Sequence, residues 1–152
     1  MPDFEAYSMK GRTYRYIDGD ALYPFGFGLS YTNYKYDNAK IISADGEKIT
    51  LRVEVENAGD IAGKEIVQTY AAYTDSHVAT PHWQLCSVKP VVLEADEKKE
   101  ITLDIDRYWI KEVTMDGERV DPDGKITLYI GGHQPDSVSD KLLGYPCLKI
   151  EL

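Results

Sequence analysis

Four segments of this chain alternate apolar and polar residues with a period of two. Ile49, Leu51, Val53 and Val55 alternate with Thr50, Arg52, Glu54 and Glu56. Ile101, Leu103 and Ile105 do the same around Thr102 and Asp104, Ile126, Leu128 and Ile130 follow, and Leu148, Ile150 and Leu152 close the chain. Successive side chains on a strand point to opposite faces, so each segment reads as a strand with one face on a core and one in water. Between them lie Asn57-Ala-Gly-Asp60, Met115-Asp-Gly-Glu118 and Asp121-Pro-Asp-Gly124, all rich in turn formers. Glu65–Tyr73 alternates less cleanly, which predicts a strand covered on both faces for part of its length. Gln84–Leu93 reads as extended, with Pro90 marking an edge or a bulge. Adding Tyr36–Ser43 gives about seven short strands, residues 74–82 form a polar loop, and Arg107–Val113 has room for a short helical turn. The expected fold is all-β: an antiparallel β-sandwich of the immunoglobulin-like type, built from residues 36–152.

Residues 1–35 do not fit this pattern. Of the 3 Phe, 2 Trp and 12 Tyr, ten lie in residues 1–36, including every Phe. Charge divides at the same place. Residues 1–35 hold four acids and four bases, whereas the rest of the chain carries the whole net charge of −9. The segment Leu22-Tyr-Pro-Phe-Gly-Phe-Gly-Leu-Ser-Tyr-Thr32 mixes aromatics with two glycines and a proline, which suits neither helix nor strand. It reads as an irregular aromatic arm that needs a surface to lie against. The arm is expected to fold back across the sandwich, to pair with a second copy, or to be poorly ordered over residues 1–20.

Composition narrows the partners. At 152 residues with a hydrophobic fraction of 43%, the chain is large enough for a real core. A net charge of −9 argues against nucleic acid and against anionic membrane surfaces, both of which need a basic footprint. No apolar run approaches a membrane span, and the N-terminus lacks the features of a signal peptide. Cys86 and Cys147 read as free thiols, which points to a reducing, cytoplasmic setting.

Candidate chemistry is sparse. The acids sit mostly on outward strand positions and in turns, not as a convergent pair for hydrolysis. Asp18-Gly-Asp20 and Asp121-Pro-Asp123 lack the remaining ligands of a calcium loop, and no metal or other cofactor is expected. His77, His82 and His133 read as surface histidines without a third zinc ligand. Gly26-Phe-Gly28 lacks the third glycine of a dinucleotide site, and neither Ser30 nor Cys86 has a nucleophile's context. Trp83 and the tyrosines of the arm are candidates for stacking on sugar rings, with Trp83 packing beneath its own loop as the alternative.

Arg12-Thr-Tyr-Arg-Tyr16 followed by the Leu22–Thr32 segment resembles the C-terminal region of family 3 glycoside hydrolases, the β-glucosidase and β-xylosidase group. Val55-Glu-Asn-Ala-Gly-Asp60, Gly63-Lys-Glu-Ile-Val-Gln-Thr-Tyr70, Gln84-Leu-Cys86 and Leu128-Tyr-Ile-Gly-Gly132 resemble, in order, the motifs of its fibronectin type III-like domain. Three positions depart from the pattern: Phe27 in place of Tyr, Ser87-Val88 in place of Gly-Phe, and Ala95-Asp96-Glu97 where the turn usually carries Gly. Asp tolerates the left-handed conformation, so the last turn is expected to survive.

The resemblance implies a fibronectin type III-like sandwich over residues 36–152, preceded by an arm, residues 1–35, that resembles the end of the family's second domain. It implies that the catalytic Asp and acid/base Glu lie on preceding domains, so no residue here takes a catalytic role. The chain is then a non-catalytic module of an O-glycosyl hydrolase, within a longer protein or as one part of a truncated or split gene, and it buttresses the catalytic domains. Tyr23, Pro24, Phe25, Gly26, Phe27, Gly28 and Tyr31 would form the docking or cleft-facing loop. The implied partner is the catalytic body. Carbohydrate and a second copy of the chain remain as further partners, and a free-standing sugar-binding module or an adhesion domain remains as an alternative function.

Overall fold

A computed structural model describes residues 5–6, 9, 11–17, 19–76 and 82–152. A single helical turn, α1 (Thr13–Tyr16), precedes β1 (Tyr34–Ser43), β2 (Lys48–Asn57), β3 (Gly63–Thr74), β4 (Gln84–Leu93) and β5 (Lys98–Asp106). A 3-10 turn, Arg107–Ile110, leads to the small hairpin β6 (Glu112–Val113) and β7 (Arg119–Val120), then β8 (Lys125–Gly131), α2 (Ser137–Leu143) and β9 (Leu148–Glu151). Seven strands make two antiparallel sheets, ordered β1-β2-β5 and β4-β3-β8-β9. The expected sandwich is present, and the strands read at 84–93, 101–105, 126–130 and 148–152 fall where they were placed.

The alternation of β2 becomes burial. Ile49, Leu51, Val53 and Val55 are fully buried, and the register sets Ile49 opposite Ile105, Leu51 opposite Leu103 and Val53 opposite Ile101. Val67 and Ala71 of β3, Leu128 and Ile130 of β8 and Leu93 of β4 complete the core from the facing sheet. Each of the Val, Leu and Ile side chains contributes roughly 1.5–3 kcal/mol on leaving water.

β3 departs from strict alternation between Val67 and Ala71, where five consecutive residues are buried. Val67, Thr69 and Ala71 face the core. Gln68 and Tyr70 face outward yet are covered: the arm lies over Gln68, where a Cβ on Gly26 would stand 3.8 Å from its amide, and the Tyr70 hydroxyl donates to Gln68 Oε1 at 2.6 Å. The arm meets the sandwich at Gly26, against Gln68, and at Thr32–Tyr34.

β4 and β5 lie at the same side of the sandwich, one at the edge of each sheet. Ser87 Oγ donates to the Asp104 carbonyl at 2.9 Å, and Lys89 Nζ donates to the Thr102 carbonyl at 2.6 Å. Lys99 Nζ returns the contact to the Val92 carbonyl at 3.2 Å. Pro90 sits on β4, where a missing N–H costs least.

Two turns carry non-glycine or glycine residues at positive φ for definable reasons. Asp96 has φ 55°, the left-handed conformation expected where glycine was missing, and the turn is closed by Glu97 accepting from the Glu94 amide at 2.7 Å. Gly144, with φ 82°, terminates α2, whose N-cap Asp136 accepts from the Val138 and Ser139 amides at 2.9 Å each.

Candidate docking face and groove

The arm enters the sandwich through a built anchor. Asn57, fully buried at the end of β2, accepts from Thr32 Oγ1 and from the Gly59 amide. Its amide nitrogen faces the carbonyls of Ile61 at 2.8 Å, Glu94 at 3.0 Å and Leu93 at 3.4 Å. The Ala58 amide donates to the Asn33 carbonyl at 2.7 Å. Gly59 leaves room for the Thr32 hydroxyl and Gly63 for the Tyr34 ring; a Cβ at either would collide with them. The segment from Asn57 to Gly63 is therefore a socket for Thr32–Tyr34.

Beyond the anchor, the loop splits into a held side and an open side. Pro24 is buried, and its carbonyl accepts from the Phe27 amide at 3.1 Å across a turn in which Gly26 has φ 77°. Phe27 is half-buried and stacks on Tyr23, ring centroids 5.5 Å apart. Gly28 is exposed, with nothing near its α-carbon's open side. Leu22, Tyr23 and Phe25 are exposed, and Leu29 and Tyr31 project almost wholly into solvent, 93% and 96% exposed.

A groove of about 900 Å³ separates the arm from the sandwich. Tyr14, Arg15, Tyr23 and Phe25 of the arm line it, together with Tyr70, Trp83, Gln84, Trp109 and Pro135–Val138. His82 lies between the Tyr16 ring at 6.3 Å and the Trp83 ring at 5.5 Å. Trp83 is thus half-buried and faces the groove. Among the described residues, no three His, Cys, Asp or Glu side chains converge as a metal site. His77 lies outside the described residues.

Residues 65–134 match the fibronectin type III-like domain family. The xylan 1,4-β-xylosidase of Xylanibacter ruminicola is 52% identical over 71 residues, 46% of this chain and 8% of that enzyme. A β-xylosidase of Formosa agariphila is 35% identical over 134 residues, 86% of this chain and 18% of that enzyme. Among solved structures, the GH3 β-glucosidase of Bifidobacterium adolescentis superposes with a TM-score of 0.76 at 27% identity, covering 93% of this chain and 21% of that one. Residues 65–134 are a fibronectin type III-like domain, and the chain is homologous to part of the family 3 β-glucosidases and β-xylosidases. It spans only 8–18% of the lengths of these two curated relatives.

In this fibronectin type III-like domain the motif residues have physical roles that spacing alone did not reveal. The Asn-x-Gly-Asp motif holds the arm, as above. The Gly-Gly pair at the end of β8 makes space for a buried polar cluster. Tyr36 donates to Glu65 Oε1 at 2.6 Å, and the Tyr36 and Tyr145 rings stack at 6.0 Å. A Cβ on Gly132 would collide with that same Glu65 oxygen. His133 is a correction to its reading as a surface residue: it is 1% exposed, with Nδ1 2.8 Å from the Gln134 carbonyl and Nε2 3.1 Å from the Tyr145 carbonyl. In either tautomer the one ring N–H has a backbone carbonyl to receive it, and the Cys147 sulfur lies 3.7 Å from Nδ1. Cys86 and Cys147 are free, and burial pushes each thiol up to about 12, which leaves both poorly nucleophilic.

Burial also raises the Glu65 carboxyl above its ordinary value, despite hydrogen bonds from Tyr36 and the Ile66 amide and the pull of His133. A carboxyl raised in the native state adds stability below the unfolded value and loses it as pH rises through the native one. Glu65→Gln keeps an acceptor for Tyr36 and cannot ionise. The variant's stability relative to the wild type is expected to improve from pH 4 towards neutrality and then level off. Denaturant unfolding at a series of pH values reads this directly, and a pH-independent difference would refute it.

Proposed function

We propose that this domain is a non-catalytic module that buttresses the catalytic domains of a family 3 β-glucosidase or β-xylosidase, with the arm as its docking loop. The carrying observation is the pairing of a tight anchor with an open apolar face: Thr32 and Tyr34 are locked into the sandwich while Leu29 and Tyr31 immediately before them stand in solvent. Large apolar side chains held rigidly at a surface mark interaction sites, since little ordering entropy remains to be lost on contact. Tyr23, Phe25 and Tyr31 supply the aromatic anchors typical of such contacts. The proposal gives residues 1–35 to the interface and residues 36–152 to the support, and assigns no cofactor.

The test is reconstitution with separately expressed catalytic domains of a family 3 enzyme. The chain alone is expected to give no turnover of aryl β-glucosides or β-xylosides, and to bind the catalytic domains. Replacing both Leu29 and Tyr31 by Ala is expected to weaken that binding by roughly 30-fold, about 2 kcal/mol. Turnover by the chain alone, or a complex indifferent to the double substitution, would sink the reading.

A further inference from the structure

The buried ring of His133 faces more acceptors than a neutral imidazole can serve. Nδ1 lies 2.8 Å from the Gln134 carbonyl and Nε2 lies 3.1 Å from the Tyr145 carbonyl. Carbonyl oxygens only accept, and a neutral imidazole carries one N–H. In either tautomer the second nitrogen therefore turns its lone pair on a carbonyl oxygen. The Cys147 thiol, 3.7 Å from Nδ1, has its own acceptor in the His133 carbonyl at 3.3 Å. A second mismatch sits beside the first. Asp140 Oδ1 is buried and makes no hydrogen bond among the described residues, yet it lies 3.9 Å from His133 Nδ1. One further proton on the ring resolves both: each nitrogen then donates, and the carboxylate faces a cation.

We propose that His133 is a proton-operated latch, whose imidazolium form fastens α2 and the turn into β9 to the end of β8. The ring hangs just beyond β8, while Asp140 belongs to α2 and Tyr145 to the turn before β9. Loss of either ring proton surrenders a tie. Without Nε2–H the Tyr145 carbonyl loses its donor, without Nδ1–H the Gln134 carbonyl does, and in both cases Asp140 faces no charge. The start of α2 matters beyond its own stability, because Pro135–Val138 line the groove beside the arm. The state of the latch sets how firmly that lining is held.

Titratable groups approach the ring from each element packed around it. β3 brings Glu65, whose Oε1 a Cβ on the adjacent Gly132 would meet, and Tyr70, bonded to the Gln68 that donates to the Gly132 carbonyl at 2.9 Å. β1 brings Tyr36, which donates to Glu65. The turn into β9 brings Tyr145, its ring centroid 5.0 Å away, and Cys147. α2 brings Asp140 and the capping Asp136, whose oxygens are taken by the Val138 and Ser139 amides and the Ser139 hydroxyl. Burial raises Tyr36, Tyr70, Tyr145 and Cys147, so all four keep their protons around neutrality. Glu65 and Asp140 are left as the anions that favour a second ring proton. A proton that binds the latched form more tightly than the released one stabilises the latch as pH falls through the ring's titration. The tie to Asp140 is lost again in acid, where that carboxyl, raised by burial, is neutralised.

NMR of the intact chain tests this. The chain has three histidines, and the ring signals lost in His133→Gln identify those of His133. Between about pH 8 and about pH 5, both His133 ring nitrogens are expected to become protonated. Over the same titration the hydrogen-exchange protection factors of the Asp140 and Gly144 amides, which donate within α2 at 3.0 and 2.9 Å, should rise at least about five-fold. Protection factors remove the intrinsic pH dependence of exchange, and the amides of β2 should hold steady. His133→Gln keeps a donor but cannot titrate, so its α2 protection should not follow pH. Asp140→Asn and Glu65→Gln should each move the His133 titration to lower pH while leaving that of His82 in place. The proposal is overturned by a ring that stays neutral across the range, by α2 protection that ignores the ring's titration, or by a titration unmoved in both carboxyl variants. Should Asp140→Asn fail to fold, Glu65→Gln carries the same comparison. Because no catalytic domain is added, a failure of docking leaves this result untouched.

Discussion

Asn57→Ala is expected to lower the unfolding free energy by about 3–5 kcal/mol, since it strands buried polar groups that each cost roughly 1–3 kcal/mol. The side chain joins five groups from three stretches of the chain. It accepts from Thr32 and Gly59, and its amide faces the carbonyls of Ile61, Leu93 and Glu94. For a domain of this size such a loss corresponds to a fall in the thermal midpoint of roughly 10 °C or more. Asn57→Asp should be little better than Ala, because a carboxylate cannot donate to carbonyls. Thermal unfolding followed by circular dichroism measures both. Limited proteolysis should show the arm cut sooner in either variant, because Thr32 loses its acceptor. A variant with wild-type midpoint and wild-type arm protection would show that the socket is dispensable.

Gly132→Ala is the second large effect, and it tests the polar cluster from the opposite direction. The added methyl would collide with Glu65 Oε1 and stand 3.0 Å from the Tyr145 hydroxyl. Overpacking of this kind costs typically about 1–3 kcal/mol. The displaced carboxylate would also release Tyr36, whose hydroxyl donates to it at 2.6 Å. The cause can be isolated by a double-mutant cycle. In a Glu65→Ala background the methyl gains room, so the cost of Gly132→Ala should shrink by more than about 0.5 kcal/mol, the scale that marks coupled neighbours. Strict additivity in denaturant unfolding would place the strain elsewhere.

The sandwich was legible because period-two alternation and burial express the same geometry. Ile49, Leu51, Val53 and Val55 had only one way to hide together. The double coverage of β3 was legible for the same reason in reverse, as alternation that failed at Gln68 and Tyr70. What covers them was not legible, because a loop of mixed aromatics and glycines has no period to follow. α2 was missed altogether. Seven residues carry too few turns for a helical pattern to emerge, and the signal lay in its ends: Asp136 as cap with Gly144 closing. His133 was misplaced because a lone histidine in sequence shows nothing of the backbone oxygens that receive it. The groove was foreshadowed only through Trp83. Trp109 sat in a predicted helical turn and drew no attention, since its partner residues 82–84 lie some 25 positions away in sequence.

The hydrogen bonds of Ser87, Lys89 and Lys99 across the gap between β4 and β5 have a consequence for how such a module lives beside other chains. A sheet edge with free carbonyls is a template for polymerisation, and two flat edges side by side would be a doubly inviting one. Here each edge consumes the other's acceptors with side chains, two of them lysines whose charge also repels an incoming strand. The domain thereby closes its β4–β5 side to neighbouring strands. Copies of this sandwich then have no template for sheet extension along that side.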